Sequence, residues 1–191
     1  MRVIKTDIEG VVIIEPTLFE DDRGYFTESC NEAKLSEALG IDLHFIQDNE
    51  SCSKSGVIRG LHFQRAPHAQ SKLVRVTEGE ILDIAVDLRH GSPTFGKHIS
   101  VVLSKENHRQ LFIPRGFAHG FSVLRGDAVV QYKCDNNYAP NAEGAIIWND
   151  PTLEIDWKVD VNNAIVSDKD LQNRPLSECD ELFDYNTNYY A

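Results

Sequence analysis

The sequence predicts an all-β fold, a jelly roll or double-stranded β-helix barrel with a few short peripheral helices, as one domain over residues 1–191. Three observations carry this. Short β-branched or alternating apolar runs recur along the chain. Turn formers separate them at short intervals. Only one stretch has clear helical periodicity. A chain of 191 residues is long enough for a real core.

In order, Val11–Ile14 is a β-branched run ended by Glu15-Pro16 and reads as a strand. Asp21-Asp-Arg-Gly-Tyr-Phe-Thr-Glu28 follows, with a turn at Asp-Arg-Gly. It reads either as a solvated hairpin tip or as a clamp on a polar ring, with Arg23 and Glu28 flanking two aromatics. Residues 31–40 form the clearest helix: Ser29 or Asn31 can cap it, Leu35, Ala38 and Leu39 share a face, and Gly40 ends it. Leu43–Asn49 resumes strand character, with Gln47 and Asn49 on one face.

Two strands are expected in Gly56–Gln64 and Ser71–Arg75. A hairpin turn is expected at Glu78-Gly79, leading into Glu80–Leu88. There Asp83 could pair with Lys72 across the hairpin, if only as a structural ion pair. Arg89–Gly96 is a loop, and Lys97–Leu103 is another strand. A Pro-x-Gly turn separates two apolar strands in Leu111–Leu124. Further strands are expected at Ala128–Cys134, which holds Tyr132, and at Ala145–Trp148. Ser167–Asp170 looks like a capped helical turn. Residues 176–191 are expected to pack loosely as an acidic, Tyr/Asn-rich tail.

The formal charge of −11 argues against general nucleic-acid binding. An anionic ligand would need a local Arg/Lys cluster to receive it. The four cysteines form no C-x-x-C pair, which suits reduced thiols. No apolar run reaches the ~20 residues of a membrane span. Met1–Gly10 carries acids where a secretion signal would be apolar, so a cytoplasmic location is expected.

The densest chemistry lies in Gly56–Arg75, where Arg59, His62 and Lys72 sit on strands that otherwise look like core. Unpaired buried charge costs several kcal/mol, so these side chains should face a cavity. Arg59 and His62 are three apart, and a regular strand would send them to opposite faces. Gly60 is the natural place for a bulge that reconciles them.

Gly56-x5-His62-x-Gln64 and Pro114-x-Gly-x-x-His119 resemble the two motifs of the cupin superfamily. Metal-binding cupins have His-x-His plus Glu in the first motif. Here Gln64 replaces the second His, no carboxylate follows before Lys72, and His68 is a poor third donor. A transition metal usually needs three or four donors, so neither a catalytic metal nor another cofactor is expected. The remaining residue types suit acid–base chemistry: His62 as base, Tyr132 as returning acid, Lys72 beside a developing oxyanion, and Arg59 and Arg23 on phosphate. A core histidine held by hydrogen bonds is the bland reading of His62.

Arg59-Gly-Leu-His-Phe-Gln64 and Gly116-Phe-Ala-His-Gly-Phe121 carry a more specific resemblance, with Asp22-Arg-Gly-x-Phe-x-Glu28, Lys72-Leu-Val-Arg-Val76 and Ser92-Pro-Thr-Phe-Gly96 in support. Over nearly its full length the chain resembles the dTDP-4-dehydrorhamnose 3,5-epimerase family, which are metal-independent cupins. The resemblance implies His62 as base, supported by Asp170 or its neighbour Asp168, with Tyr132 as acid and Lys72 steadying an enolate. It implies nucleotide-sugar contacts from Arg23, Glu28, Gln47, Asn49, Arg59, His119, Glu143 and Lys169, with Tyr138 stacked on the thymine. It also implies a homodimer with exchanged N-terminal segments, so that Arg23 and Glu28 serve the neighbour's site. The implied reaction inverts C3 and C5 of dTDP-4-keto-6-deoxy-D-glucose. The alternatives are a single-site epimerase or ketoisomerase on another dTDP-sugar, a non-catalytic sugar-nucleotide binder, and a metal-dependent oxygenase. A binder would need neither His62 nor Tyr132.

Overall fold

Two long strands, Lys72–Asp87 and Phe117–Cys134, pair antiparallel along most of their length and organise the rest. The computed structural model describes residues 1–190. Its strands are β1 (Arg2–Lys5), β2 (Val12–Glu15), β3 (Leu18–Asp21), β4 (Gly24–Thr27), β5 (Gln47–Ser53), β6 (Ile58–Gln64), β7 (Lys72–Asp87), β8 (Arg89–His90), β9 (His98–Ser104), β10 (Gln110–Ile113), β11 (Phe117–Cys134), β12 (Glu143–Ala145) and β13 (Phe183–Asp184). The helices α1 (Glu32–Leu39) and α2 (Asp168–Leu171) are short. No helix among the described residues is long and apolar enough to cross a membrane.

β7 and β11 each bend midway, and their halves belong to two facing sheets. One sheet runs β9, the second half of β7, the first half of β11, β6 and β12. The other runs β1, β2, β10, the first half of β7, the second half of β11 and β5. This is a jelly-roll arrangement, and hydrogen bonding does not close it into a ring. The central core lies between the sheets and includes Val74, Val76, Ile81, Leu103, Leu111, Val123 and Val130. Each such side chain, fully buried, contributes roughly 1.5–3 kcal/mol.

The first sheet is buried on its outer face too, by Trp148, Leu153, Trp157 and Phe183. Burial on both faces explains the nearly unbroken apolar run Ile81–Leu88. The outer face of the second sheet is covered by Leu35 of α1 and by Leu43. Asn31 caps α1 by accepting from the Lys34 N–H, and Gly40 ends it at φ +69°. Leu35 and Leu39 pack inward, while Ala38 stays exposed.

The bends depend on glycines. The expected hairpin at Glu78-Gly79 is instead a bulge within one 16-residue strand. Both halves of β7 pair with β11, so the chain has no reason to reverse there. Gly79 has φ +74°, and a Cβ on it would lie 2.5 Å from the Asp127 carbonyl oxygen. The bulge shifts the side-chain alternation by one. Val74 and Val76 face the core before it, and Ile81 and Ala85 after it. β11 shows the same change: Phe121 and Val123 point inward, then Ala128 and Val130. Register shifts lie between Val123 and Val130, so Ala128–Cys134 continues β11 rather than forming a separate strand.

Other expectations differ in detail. Residues 43–46 are irregular, and the strand starts at Gln47. Arg89–His90 forms a short parallel pair with β13. The described part of the expected loose tail, 176–190, is fastened. Phe183 is buried, and the Tyr190 hydroxyl bonds Ser71 Oγ at 2.7 Å. Its partners lie far back in the sequence, which is why its composition misleads.

Candidate active site

The predicted break in β6 is present. Gly60 takes φ +113°, and the ladder to β11 shifts between His119 and Phe121. A Cβ at Gly60 would sit 2.6 Å from the Gly120 Cα and 2.7 Å from the His119 carbonyl oxygen, so only glycine fits. Ile58, Leu61 and Phe63 pack into the outer core, while Arg59 and His62 both line one cavity.

That cavity is about 400 Å³, and its walls include Arg59, His62, Lys72, His119, Tyr132, Lys169 and Asp170. An adjoining space of about 320 Å³ is lined by Gln47, Asn49, Tyr138 and Glu143. The two share His62, Lys72 and Tyr132. Imidazole and phenol therefore face one compartment. They come from different sheets, His62 from β6 and Tyr132 from the second half of β11.

His62 Nε2 lies 2.6 Å from Asp170 Oδ1. Asp170 Oδ2 accepts from the Gly60 N–H at 3.3 Å. Asp170 sits on α2 because Ser167 caps that turn, its Oγ accepting from the Asp170 N–H at 3.1 Å. Burial works against the carboxylate, but the hydrogen bonds from His62 and the Gly60 N–H outweigh it. The Asp170 carboxyl is held below its usual range. Asp168 is exposed, so the carboxylate beside His62 is that of Asp170.

Burial lowers the pKa of Lys72, partly opposed by Cys134, Asp83 and Glu143. Its Nζ lies 5.8 Å from the centre of the Tyr132 ring. Burial raises the Tyr132 phenol, which therefore stays protonated at neutral pH. Asp83 does not pair with Lys72 as expected. Its Oδ1 lies 2.7 Å from His119 Nε2, because the Gly79 bulge turns Asp83 inward toward β11. Burial keeps His119 neutral despite this carboxylate. Asp83 Oδ2 is buried without a partner. Among the described residues no three His, Cys, Asp or Glu side chains gather closely enough to hold a metal ion.

At the mouth, Lys169 Nζ lies 2.7 Å from both Glu143 carboxylate oxygens. Tyr138 is exposed, and its hydroxyl donates to Glu143 Oε2 at 3.0 Å. Burial opposes the Glu143 charge, but these two donors hold its carboxyl low. Gln47 Nε2 donates to Asn49 Oδ1 at 2.9 Å, and Gln47 Oε1 accepts from the Tyr138 N–H. Arg59 Nε donates to Ser53 Oγ.

Arg23 and Glu28 are not brought in. Arg23 is exposed on the β3–β4 hairpin and pairs with Asp21, and Glu28 pairs with Lys34. Gln64 is a structural hub that sequence reasoning missed. Its Nε2 donates to the carbonyls of His68 and Asn137, and its Oε1 accepts from the Ala139 N–H. It thus fixes the loop that presents Tyr138. An amide in the second position of a His-x-His motif, followed by no carboxylate, was the available signal.

The sequence model of the family described as dTDP-4-dehydrorhamnose 3,5-epimerase matches residues 5–178. The chain belongs to that family. A dTDP-4-dehydrorhamnose 3,5-epimerase from Shigella flexneri is 50% identical over 180 residues, covering 94% of this chain and 98% of the relative. The crystal structure of the Elizabethkingia anophelis NUHP1 epimerase superposes with a TM-score of 0.90 at 51% identity, covering 93% and 97% of the two chains. The dTDP-6-deoxy-D-glucose-3,5-epimerase of Legionella pneumophila Philadelphia 1, solved in complex with dTDP-4-keto-L-rhamnose, gives 0.93 at 46% identity, covering 97% and 99%. Membership in this epimerase family places an isomerase, rather than a passive binder, on the jelly roll described above.

Proposed function

We propose that this enzyme inverts C3 and C5 of dTDP-4-dehydro-6-deoxy-D-glucose to give dTDP-4-dehydro-L-rhamnose. The observation that carries the reading is the shared cavity, in which a carboxylate-backed imidazole and a half-buried phenol approach from two different sheets. The C4 ketone acidifies both neighbouring carbons. His62, backed by Asp170, takes the proton from carbon. The electron pair moves onto the C4 oxygen as an enolate, beside the Lys72 ammonium. Tyr132 returns a proton from the opposite face, and the carbonyl re-forms with the centre inverted. Arg59 and Lys169 hold the sugar diphosphate, with Gln47, Asn49, Tyr138 and Glu143 on the nucleoside side. The neutral His119, bound to Asp83, orients substrate rather than carrying charge.

Incubation with dTDP-4-keto-6-deoxyglucose in heavy water tests this. NMR should show deuterium at both C3 and C5 of the product. Exchange at C3 alone would make the enzyme a 3-epimerase, and no exchange would end the proposal.

The alkaline side of the rate profile follows from the site. As pH rises through the lowered Lys72 pKa, the ammonium loses its charge and the enolate loses its partner. Tyr132, with its raised pKa, is still protonated there. The alkaline limb of kcat should therefore fall below the ordinary lysine range. Lys72→Arg should lower the rate but move that limb upward, because guanidinium does not titrate in this range. An unmoved limb would remove Lys72 from this role.

The working unit proposed is a homodimer in which each β3–β4 hairpin reaches the neighbouring cavity, bringing Arg23 and Glu28. Phe19, Tyr25 and Phe26 support it: they are 61%, 56% and 70% exposed on that hairpin, an uncommon cluster for a free surface. Sedimentation at micromolar concentration should give two chains. A monomer with full activity would refute the exchange.

A further inference from the structure

Lys72 is the first residue of β7, and strand ends are where ladders fray. Its register partners are Ile113, the last residue of β10, and Cys134, the last of β11. Three strand ends therefore meet beside one ammonium group. The C-terminal segment fastens them. The Tyr190 hydroxyl lies 2.7 Å from Ser71 Oγ and accepts from the Arg115 N–H at 3.1 Å. Ser71 is fully buried, and its N–H donates to Asp135 Oδ1 at 2.6 Å. Arg115 Nε donates to Asp135 Oδ2 at 3.1 Å, and its guanidinium lies 5.0 Å over the Tyr190 ring. Ser71, Arg115 and Asp135 each sit just outside one of the three strand ends.

We infer that Tyr190 is a positioning residue: its hydroxyl clasps these ends and so fixes where the Lys72 ammonium meets the enolate oxygen. The inference rests on the role given to Lys72 under the proposed function. A displacement of about 1 Å at a catalytic group can cost on the order of 10²-fold in rate, so a clasp one residue away from Lys72 acts on kcat rather than on substrate affinity.

Tyr190→Phe tests it, since it keeps the ring over Arg115 and removes only the hydroxyl. The expected result is a fall in kcat of about tenfold, with KM within about twofold of the parent. Deuterium wash-in should fall by the same factor, because enolate formation is the step Lys72 serves. Ser71→Ala should reproduce the loss, and the double variant should lose no more than either alone. If Tyr190→Phe does not fold, Ser71→Ala decides on the same criteria. Lys72→Ala is measured alongside. Unchanged kcat in Tyr190→Phe beside a crippled Lys72→Ala overturns the clasp alone, whether or not Tm drops. A raised KM with kcat intact does the same. Full activity in Lys72→Ala overturns instead the role of Lys72 on which the clasp depends.

Discussion

Tyr132→Phe will leave an enzyme that exchanges protons but does not invert. In the proposed mechanism the hydroxyl returns a proton to the far face, and its loss should cost inversion roughly 10²–10⁴-fold. The ring packs against the central core and remains, so stability should change by less than about 1.5 kcal/mol. His62, Asp170 and Lys72 are untouched, and the enolate still forms. It is then reprotonated by His62 from the face it left. Deuterium wash-in with retained configuration should therefore stay within about tenfold of the parent. Proton NMR in heavy water reads both quantities in one sample. Equal loss of exchange and inversion would show that the phenol acts before the enolate, not after it.

Asp170→Asn should be as severe and strike earlier. The carboxylate lies 2.6 Å from the His62 ring and is almost fully buried. Without its charge the imidazole loses both orientation and the stabilisation of the imidazolium formed on proton abstraction. A fall in kcat of about 10²–10⁴-fold is expected, this time with wash-in falling equally. KM should move little.

The same variant has a signature in stability. The folded Asp170 carboxyl is depressed, so the stability it contributes is present above the unfolded aspartate pKa of about 3.9. It is lost as pH falls through the folded value. Asp170→Asn should flatten the acid limb of a denaturation series in that window. An unchanged acid limb would show that the carboxylate is not held in the folded protein as described.

Much of this was legible from local signals, and its limits were local too. Asn31, Gly40 and Ser167 mark helix ends because a cap is made within a few residues. The odd spacing of Arg59 and His62 demanded an irregular strand, and Gly60 supplied one. Gly79 shows where local signals stop: a positive-φ glycine serves a hairpin turn and a bulge equally well. Only pairing with β11, some fifty residues away, decides between them. The partner of Asp83 followed from that same decision. Once Glu78-Gly79 is a bulge, the carboxylate faces His119, a contact no window around residue 83 could show. The anchoring of the tail is equally non-local, since its anchors are Ser71 and Arg115. Arg23 and Glu28 look like ligand-binding residues in sequence but stand outside the cavity of their own chain.

The bulges in β7 and β11 bear on how this scaffold can vary. Insert or delete one residue at either and every side chain beyond it exchanges faces. In β11, Gln131 and Lys133 would enter the chamber while Tyr132 turned outward, with none of the proposed catalytic residues replaced. Indels are thus barred from the middle of these strands. New sugar specificities on this framework must come from point substitutions in the lining or from changes where strands end.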